Sequence, residues 1–305
     1  SSYVLAKALY PEDHPYNWTV IGEMEDLFNA TVEDVKAFHK KWYTPNNSTI
    51  VLAGDFEVEE AKALIEKYFA EIPSGEEVSD PEPYHVNLEK TKKLYHEDNF
   101  ARAPQLTMVW PTVEDNTDDS YALSYLAELL SSGKKAPLYK VLEKEKKLTS
   151  RQYAFNWSRE ITGEFRVSVT ANSDVSLNEV EQSVFEAFKR CEEEGVTEKD
   201  LQRIKASLET GFYNGISSIL GKSFQLARYN EYAGDPSYYK TDIEKLKAVT
   251  IEDINRVYEQ YIKDKPYVVT SFVPKGKTDL IAEGSVKAEV KEEDILNATE
   301  VEIVD

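Results

Sequence analysis

The chain has 305 residues, which is long enough for two domains that each bury an ample core. Acidic side chains number 56 and basic ones 36, so the net charge is -20. This excess of negative charge disfavours binding to nucleic acid, which depends on basic side chains that neutralise phosphates. No apolar run approaches the length of a membrane span, and the single Cys191 excludes a disulfide within the chain.

The first ten residues, SSYVLAKALY, place apolar side chains at helical spacing and predict a helix. Neither a capping residue nor an initiator methionine precedes this helix, so we expect the chain to begin inside a larger protein, whose export signal would then be lost. Residues 11–30 hold two prolines and a glycine among aromatic side chains and predict a loop.

A capped helix followed by a strand is predicted between residues 31 and 56. Thr31 suits the N-cap position because its hydroxyl can accept a hydrogen bond from a free backbone amide. The two carboxylates that follow suit the positive end of the helix dipole. Pro45 ends the helix, and Ser48 to Ala53 is predicted to form a strand closed by Gly54.

The same pattern recurs from Thr250, in TIEDINRVYEQYIKDKPYVVTSFVPKG. An N-cap, an amphipathic helix, a turn and a strand in the same order indicate a duplicated unit. Chance is the alternative, because capped helices share this chemistry. The matching pairs are Thr31 and Thr250, Val35 and Ile254, Phe38 and Val257, and Ile50 and Val269.

An amphipathic helix from Glu57 to Ile72 completes the first unit. Residues 73–83 are rich in proline, glycine, serine and acidic side chains, and they predict an interdomain linker. A second unit begins near residue 90. Its predicted elements are a strand around Leu106–Trp110, helices at Asp118–Ser131 and Pro137–Lys147, a hairpin of Tyr153–Trp157 with Phe165–Ala171, and helices at Leu177–Glu194 and from Thr197 to about Val249.

The four histidines predict no metal site. No two of His14, His39, His85 and His96 are three or four residues apart, and none belongs to an HxxEH or HxxxH helix motif. A GxSxG elbow, a Walker loop and a GxGxxG loop are also absent from the sequence. The neighbours Asp13 and His14, or His96 and Glu97, are attributed to chance pairing, and the acidic run from Glu192 to Glu194 to a solvated surface.

Three short motifs carry a resemblance to a known family. His14-Pro15-Tyr16, then Tyr43-Thr44-Pro45-Asn46-Asn47, and finally Gly54-Asp55-Phe56 occur in this order. In this order and spacing the chain resembles the pitrilysin/insulinase-type zinc metallopeptidases, and especially bacterial members that fuse two such units. The resemblance continues through Trp110-Pro111 and Pro137-Leu138-Tyr139 and covers about residues 5–275.

The resemblance implies an α+β fold of two layers. It consists of duplicated half-domains, each an antiparallel sheet with helices packed on one face. We expect residues 1–75 to be the rear part of an incomplete first half-domain and 76–89 the linker. The second half-domain, without a metal, is expected at 90–275. Residues 276–305 are acidic and lack aromatic side chains, and they are expected to be a tail or an inter-unit linker.

The family's chemistry is expected to lie outside this chain. In the family an inverted HxxEH motif and a later glutamate bind zinc, and the glutamate of the motif acts as base on a bound water. All of these residues would precede Ser1, so no catalytic or metal-binding residue is assigned here and zinc is expected only in the parent protein. Family members also hold the substrate with an arginine and a tyrosine seven residues apart. Glu143 and Ser150 stand at those positions, so the substrate-binding residues stay unknown.

The predicted function is that of a fragment of a zinc-dependent metalloendopeptidase that hydrolyses peptides or unfolded polypeptides. This chain alone is expected to be inactive and to supply scaffold and part of the substrate enclosure. The alternative is a non-catalytic peptide-binding or structural subunit of the same family. The implied partners are a peptide substrate and a second peptidase-like unit or a homo-oligomer. The resemblance to exported bacterial members favours a periplasmic or cell-envelope location.

The incomplete first half-domain has a physical consequence. Its predicted strand, with Ile50 and Leu52, would lack strand neighbours and present an unpaired edge. We expect this region to pair with another chain, to borrow contacts from the second half-domain, or to have been trimmed from a folded whole.

Overall fold

The computed structural model of the chain describes residues 2–289, and six strands in this range form one sheet. The strands are β1 (Lys92–Asp98), β2 (Gln105–Thr112), β3 (Thr149–Ser158), β4 (Gly163–Ala171), β5 (Val268–Pro274) and β6 (Val286–Lys287). The helices are α1 (Ser2–Leu9), α2 (Met24–Asn29), α3 (Val32–Trp42), α4 (Val58–Phe69), α5 (Asp118–Ser131), α6 (Leu177–Glu194), α7 (Glu198–Gly215), α8 (Ile219–Ala233), α9 (Tyr239–Ala248) and α10 (Ile251–Val257). Two π-helical turns follow α5 and α10, at Tyr139–Glu145 and Tyr258–Ile262. Within residues 2–289, no helix is both long and apolar enough to cross a bilayer.

The strands are ordered β3-β4-β2-β5-β1-β6 across the sheet. The α+β class is confirmed, and the four strands from β3 to β5 pair antiparallel as expected. The expectation of a wholly antiparallel sheet is corrected at the other side, where β1 runs parallel to both β5 and β6. A parallel pair needs a long crossover, and the chain between β1 and β5 supplies one through most of the helices.

The main core lies between one face of the sheet and the helices α5, α6 and α10. On β2, Leu106, Met108 and Trp110 alternate toward the helices and are fully buried. On α5, Leu123, Leu126 and Leu130 form the facing stripe. This half of the molecule therefore has the layered core that the alternation of its strands predicts.

The helix α1 covers part of the opposite face of the sheet. Its residues Leu5 and Leu9 pack with Val109 and Val268, which point away from the main core. This second, smaller core ties the start of the chain to the centre of the sheet. The loop predicted at 11–30 contains the short helix α2 and a single helical turn at Pro15–Asn17.

The two predicted helix caps are confirmed. The Thr31 hydroxyl accepts from the Asp34 amide at 3.2 Å, and the Asp34 carboxylate accepts from the Thr31 amide at 2.9 Å. Thr250 and Asp253 form the same capping box, at 3.1 Å for both bonds. Equivalent local chemistry thus starts a helix in both halves, although the duplication itself stays an inference.

The strand predicted from Ser48 to Ala53 is wrong. This segment forms no strand pairing within the described residues, because no neighbouring strand lies beside it there. The helices around it are also uncovered, and Phe38 of α3 and Leu64 of α4 are 58% and 46% exposed. The amphipathic pattern of this region therefore predicts helices correctly but leaves their apolar faces in solvent.

Part of the segment expected to be a tail packs on the sheet. Leu280 and Ala282 are buried against the main core, and β6 adds to the edge of β1. The physical reason is that apolar residues are interspersed among the charges of this segment. Residues 290–305 lie outside the described part of the chain.

The end of the expected linker also packs on the rest of the fold. The Tyr84 amide donates to the Ile161 carbonyl at 2.8 Å, and Leu88 is buried.

Candidate functional site

The histidines that the sequence singles out are far from forming a metal centre. His39 lies on exposed α3 and stacks on Tyr43, His85 pairs with Glu114, and His96 on β1 stacks on Phe272. Among residues 2–289, no group of three or more His, Cys, Asp or Glu side chains is placed to hold a metal ion. Cys191 is free, and burial raises the pKa of its thiol to about 11, which makes it an inert core residue.

His14 is fully buried and acts as a structural link between distant segments. Its Nδ1 accepts from the Tyr16 amide at 2.9 Å, and its Nε2 donates to the Tyr84 carbonyl at 3.0 Å. These two bonds fix the neutral tautomer, and burial lowers the pKa of the imidazole. Because both ring nitrogens are already used, His14 offers no free nitrogen to a metal.

The positions equivalent to the family's arginine and tyrosine do not form a substrate clamp. Glu143 is half-buried in the π-helical turn before β3, and Ser150 is exposed at the start of that strand. Within the described residues neither side chain makes a hydrogen bond or an ion pair. The site must therefore be sought elsewhere on the sheet.

A buried charge cluster joins α1 to the β3–β4 hairpin. Glu164 is 1% exposed, and its carboxylate accepts hydrogen bonds from Arg159 Nη2 at 2.7 Å and from Arg166 Nε at 2.6 Å. The Tyr10 hydroxyl also donates to this carboxylate, and burial together with the charge of Glu164 raises the pKa of Tyr10. One carboxylate thus satisfies three donors, as a buried charge requires.

Sequence reasoning missed this cluster. The available signal was the unusual density of charge in the hairpin sequence WSREITGEFR, where an apolar alternation would be expected. The role of these charges depends on Tyr10, which is far away in sequence and which no local pattern connects to the hairpin.

Aromatic rings hold the Arg159 guanidinium in place. Its central carbon lies 3.7 Å from the centre of the Tyr16 ring and 4.5 Å from that of Trp157. Arg166 lies 4.6 Å from the Trp157 ring. These cation–π contacts orient the guanidinium planes beside the end of β3.

A cleft runs along the end of β3. It consists of two adjoining cavities of about 300 Å³ and 350 Å³ that share Asp115, Ser158 and Arg228 as lining residues. Tyr16 and Arg159 line the first cavity, together with Tyr232 of α8, and the second continues beside Trp157 toward α5 and α9. We call this feature the edge cleft.

The strand β3 is the last strand of the sheet on the side of the edge cleft. Among residues 2–289 its backbone pairs with β4 on one side only, so within this range it presents amides and carbonyls without a strand partner on the other. The Ala154 carbonyl is partly occupied, since the Ser131 hydroxyl donates to it at 3.3 Å. Tyr153 and Trp157 expose 37% and 43% of their surface beside this edge. The arrangement can add one extended chain to the sheet.

Comparison with known proteins gives a consistent family. The sequence model of the family described as "Peptidase M16 inactive domain" matches residues 29–208. The chain is 24% identical to the zinc protease PqqE of Helicobacter pylori over 257 residues, which cover 82% of this chain and 57% of that relative. It therefore spans little more than half the length of that curated relative.

Solved structures agree on the fold. A peptidase M16 inactive domain from Pseudomonas fluorescens superposes with a TM-score of 0.75 at 21% identity, covering 94% of this chain and 66% of that one. The periplasmic protease PqqL from Escherichia coli superposes with a TM-score of 0.58 at 13% identity, covering 73% of this chain and 25% of that one. At these identities the likeness is one of fold alone.

Proposed function

The chain belongs to the peptidase M16 family, in the part described as its inactive domain, and from this premise we propose that it is a non-catalytic, peptide-binding part of a zinc-dependent metalloendopeptidase. In this role it supplies scaffold and part of the enclosure for peptides or unfolded polypeptides. The observation that carries the proposal is the edge of β3 beside the edge cleft, which no other strand of the described residues covers.

An extended peptide can bind β3 by adding a strand to the sheet. The main-chain hydrogen bonds of such an addition give affinity with little dependence on sequence, which suits a substrate of unfolded polypeptide. Tyr153 and Trp157 offer ring surface to the side chains of the added strand. The strand β3 spans ten residues, and because Ser131 of α5 occupies the Ala154 carbonyl, only part of this edge is open to a peptide.

The zinc that the family implies does not fit the described residues. Catalytic zinc takes three protein ligands, such as three histidines or two histidines and a glutamate, and keeps one position open. Here His14 is fully engaged in the core, while His39, His85 and His96 have separate aromatic or carboxylate neighbours. The proposal therefore assigns zinc to other residues of the parent protein and no hydrolytic step to residues 2–289.

A second role, in assembly, is favoured by one specific observation. The helices α2 to α4 expose a large apolar surface that includes Leu27, Phe28, Val35 and Phe38. Surfaces of this kind mark protein contacts. We propose that a second peptidase-like unit or a second copy of the chain covers it. A periplasmic or cell-envelope location is proposed as well, on the basis of the fold shared with PqqL.

Peptide addition is tested with the full 305-residue chain and a capped ten-residue peptide of alternating valine and threonine. Fluorescence anisotropy should detect binding, and a peptide methylated at alternate backbone nitrogens should bind far less, because it cannot complete the ladder. Trp157→Ala should weaken binding about fivefold, the value expected for one lost aromatic contact. Trp42→Ala, at an exposed tryptophan on α3, is the matched control and should change nothing.

Equal binding of the normal and the methylated peptide would overturn strand addition at β3. The absence of zinc is tested separately, by metal analysis of the chain after exposure to excess zinc and removal of loosely bound ion. One tightly held zinc per chain would contradict the assignment of zinc to other parts of the parent protein.

A further inference from the structure

The first cavity of the edge cleft contains hydrogen-bond donors that nothing in the described part of the chain uses. The Nη2 of Arg159 donates to Glu164 and to the Tyr10 oxygen, whereas its Nη1 and its buried Nε make no hydrogen bond to any residue from 2 to 289. A buried donor without a partner costs free energy that a ligand can recover. Arg159 is therefore both held rigidly and incompletely satisfied.

Arg228 brings a second guanidinium to the same cavity. Its Nη2 pairs with Asp115, and its remaining nitrogens make no bond within the described residues. The backbone of this wall is fixed, because the Asp115 amide donates to the Arg159 carbonyl at 2.8 Å. The Tyr16 hydroxyl accepts from the Ile161 amide, so its own proton is also free for a ligand.

The charges around the cavity leave it receptive to an anion. Glu164 serves two arginines, so one of their positive charges stays uncompensated, whereas Asp115 compensates Arg228. The remaining acid in the lining is Glu160, which is exposed and forms no ion pair with either arginine. Partial burial of its carboxyl, followed by the nearby charges of Asp80 and Glu231, raises the pKa of Glu160.

We propose that Arg159 and Arg228 bind a carboxylate of the peptide that adds to β3. The inference rests on the proposed function and refines it, because it specifies which peptides the edge prefers. Ser158 and Arg159 directly follow Trp157, so a strand paired with β3 reaches the cavity at its end. Guanidinium groups match carboxylates with paired, charge-assisted hydrogen bonds. The carboxylate is either an acidic side chain or the carboxyl terminus of the peptide.

The test compares three forms of the capped valine–threonine peptide on the full chain. The first form is neutral, the second is a pair of peptides with a glutamate at the amino or at the carboxyl end, and the third has an uncapped carboxyl terminus. A peptide with a carboxylate in the cavity should bind about tenfold more tightly than the neutral form, the gain expected for a hydrogen bond to a charged group. Comparison of the glutamate and free-terminus peptides distinguishes the two sources of the carboxylate.

Arg228→Gln is the first variant, because this side chain is half-exposed and its loss disturbs only one ion pair. It should remove most of the preference for the carboxylate, measured as the ratio of the affinities for the carboxylate and the neutral peptide. Arg159→Lys is the second, since it keeps the charge but loses the fork of donors. Arg190→Gln, which breaks an ion pair with Glu145 away from the cleft, is the control. It should bind all peptides as the unmodified chain does.

The outcomes separate the two proposals. If all of these peptides bind the unmodified chain equally, the carboxylate site is overturned and strand addition stands. If Arg228→Gln keeps the preference and circular dichroism shows an unchanged fold, the assignment to this cavity is overturned. If no peptide binds at all, both the proposed function and the carboxylate site fail.

Discussion

The two capped helices of the chain share their local chemistry and differ in everything beyond it. The capping boxes at Thr31 and Thr250 have the same donors and acceptors. Yet Ile254 and Val257 after the second cap are 1% and 0% exposed, while Val35 and Phe38 after the first are 63% and 58% exposed. The cap decides where a helix begins, but a core forms only where a sheet is present to receive the helix.

The same contrast holds for the strands that follow these helices. The segment after α10 becomes β5, with β2 on one side and β1 on the other. The segment after α3 has similar residues and stays unpaired within the described part of the chain. Strand formation is thus a property of the surrounding sheet and not of the segment alone.

The largest effect that tests this contrast is expected in the packed half. Trp110 is fully buried and stacks on Tyr267 at 5.0 Å, so Trp110→Ala should lower the free energy of unfolding by about 4 kcal/mol. Phe38→Ala, on the uncovered α3, should change it by less than about 0.5 kcal/mol. Urea unfolding followed by far-ultraviolet circular dichroism measures both.

Trp110→Phe is the matched control for this pair. It keeps a ring in the core and removes an indole N–H that is buried without a partner among the described residues, so it should cost far less than the alanine variant. A loss for Phe38→Ala as large as that for Trp110→Ala would show that α3 is covered in solution, and the contrast between the halves would then fail.

The next effect tests the junction between α1 and the hairpin. Glu164→Gln leaves Arg159 and Arg166 without their carboxylate in a buried setting, and it should destabilise the chain by about 3 kcal/mol. Calorimetry at several salt concentrations is the suitable measurement, because buried pairs are screened little by salt. Glu145→Gln, at an exposed ion pair on the helical side, is the control and should destabilise the chain far less. A small, salt-sensitive loss for Glu164→Gln would contradict the buried charge cluster.

A smaller effect comes from the two caps themselves. Thr250→Ala should lower the free energy of global unfolding by about 1 kcal/mol, because α10 belongs to the main core. Thr31→Ala removes the same capping bonds from a helix outside this core. Thr31→Ala should therefore speed hydrogen exchange in α3 and leave the midpoint of global unfolding unchanged. Equal shifts of the global midpoint would mean that both helices unfold with one core.

Sequence patterns predicted the elements whose signals are local, and missed those that depend on distant partners. The alternation in β2 to β4, the stripe of α5 and the N-caps at Thr31 and Thr250 follow from spacing alone. Strand β1, KKLYHED, has charges where apolar residues are expected, and only its position beside β5 makes it a strand. The sequence did not predict the charge cluster at Glu164 for the same reason, since Tyr10 and the hairpin meet only in the folded chain.

The last prediction concerns pH and the His14 link between the start of the chain and the sheet. Burial lowers the pKa of His14 below its usual value of 6.5, so the unfolded chain binds a proton at a higher pH than the folded chain. Stability from this group is therefore complete above pH 6.5 and declines as the pH falls from there through the lowered pKa. The groups around the ring act in both directions, since Arg159 also lowers this pKa whereas Asp13 and the bond to the Tyr84 carbonyl raise it.

His14→Gln can keep one donor and one acceptor but has no proton to gain in this range. Below pH 6.5 the free energy of unfolding of this variant should depend less on pH than that of the unmodified chain. Above pH 6.5 the pH dependence of the two should be the same. Thermal unfolding at a series of pH values measures the slope, and His39→Gln, on exposed α3, is the control that should keep it. If the slope is unchanged in His14→Gln, protonation of His14 does not set the pH dependence of stability. The link through a neutral His14 would then be contradicted.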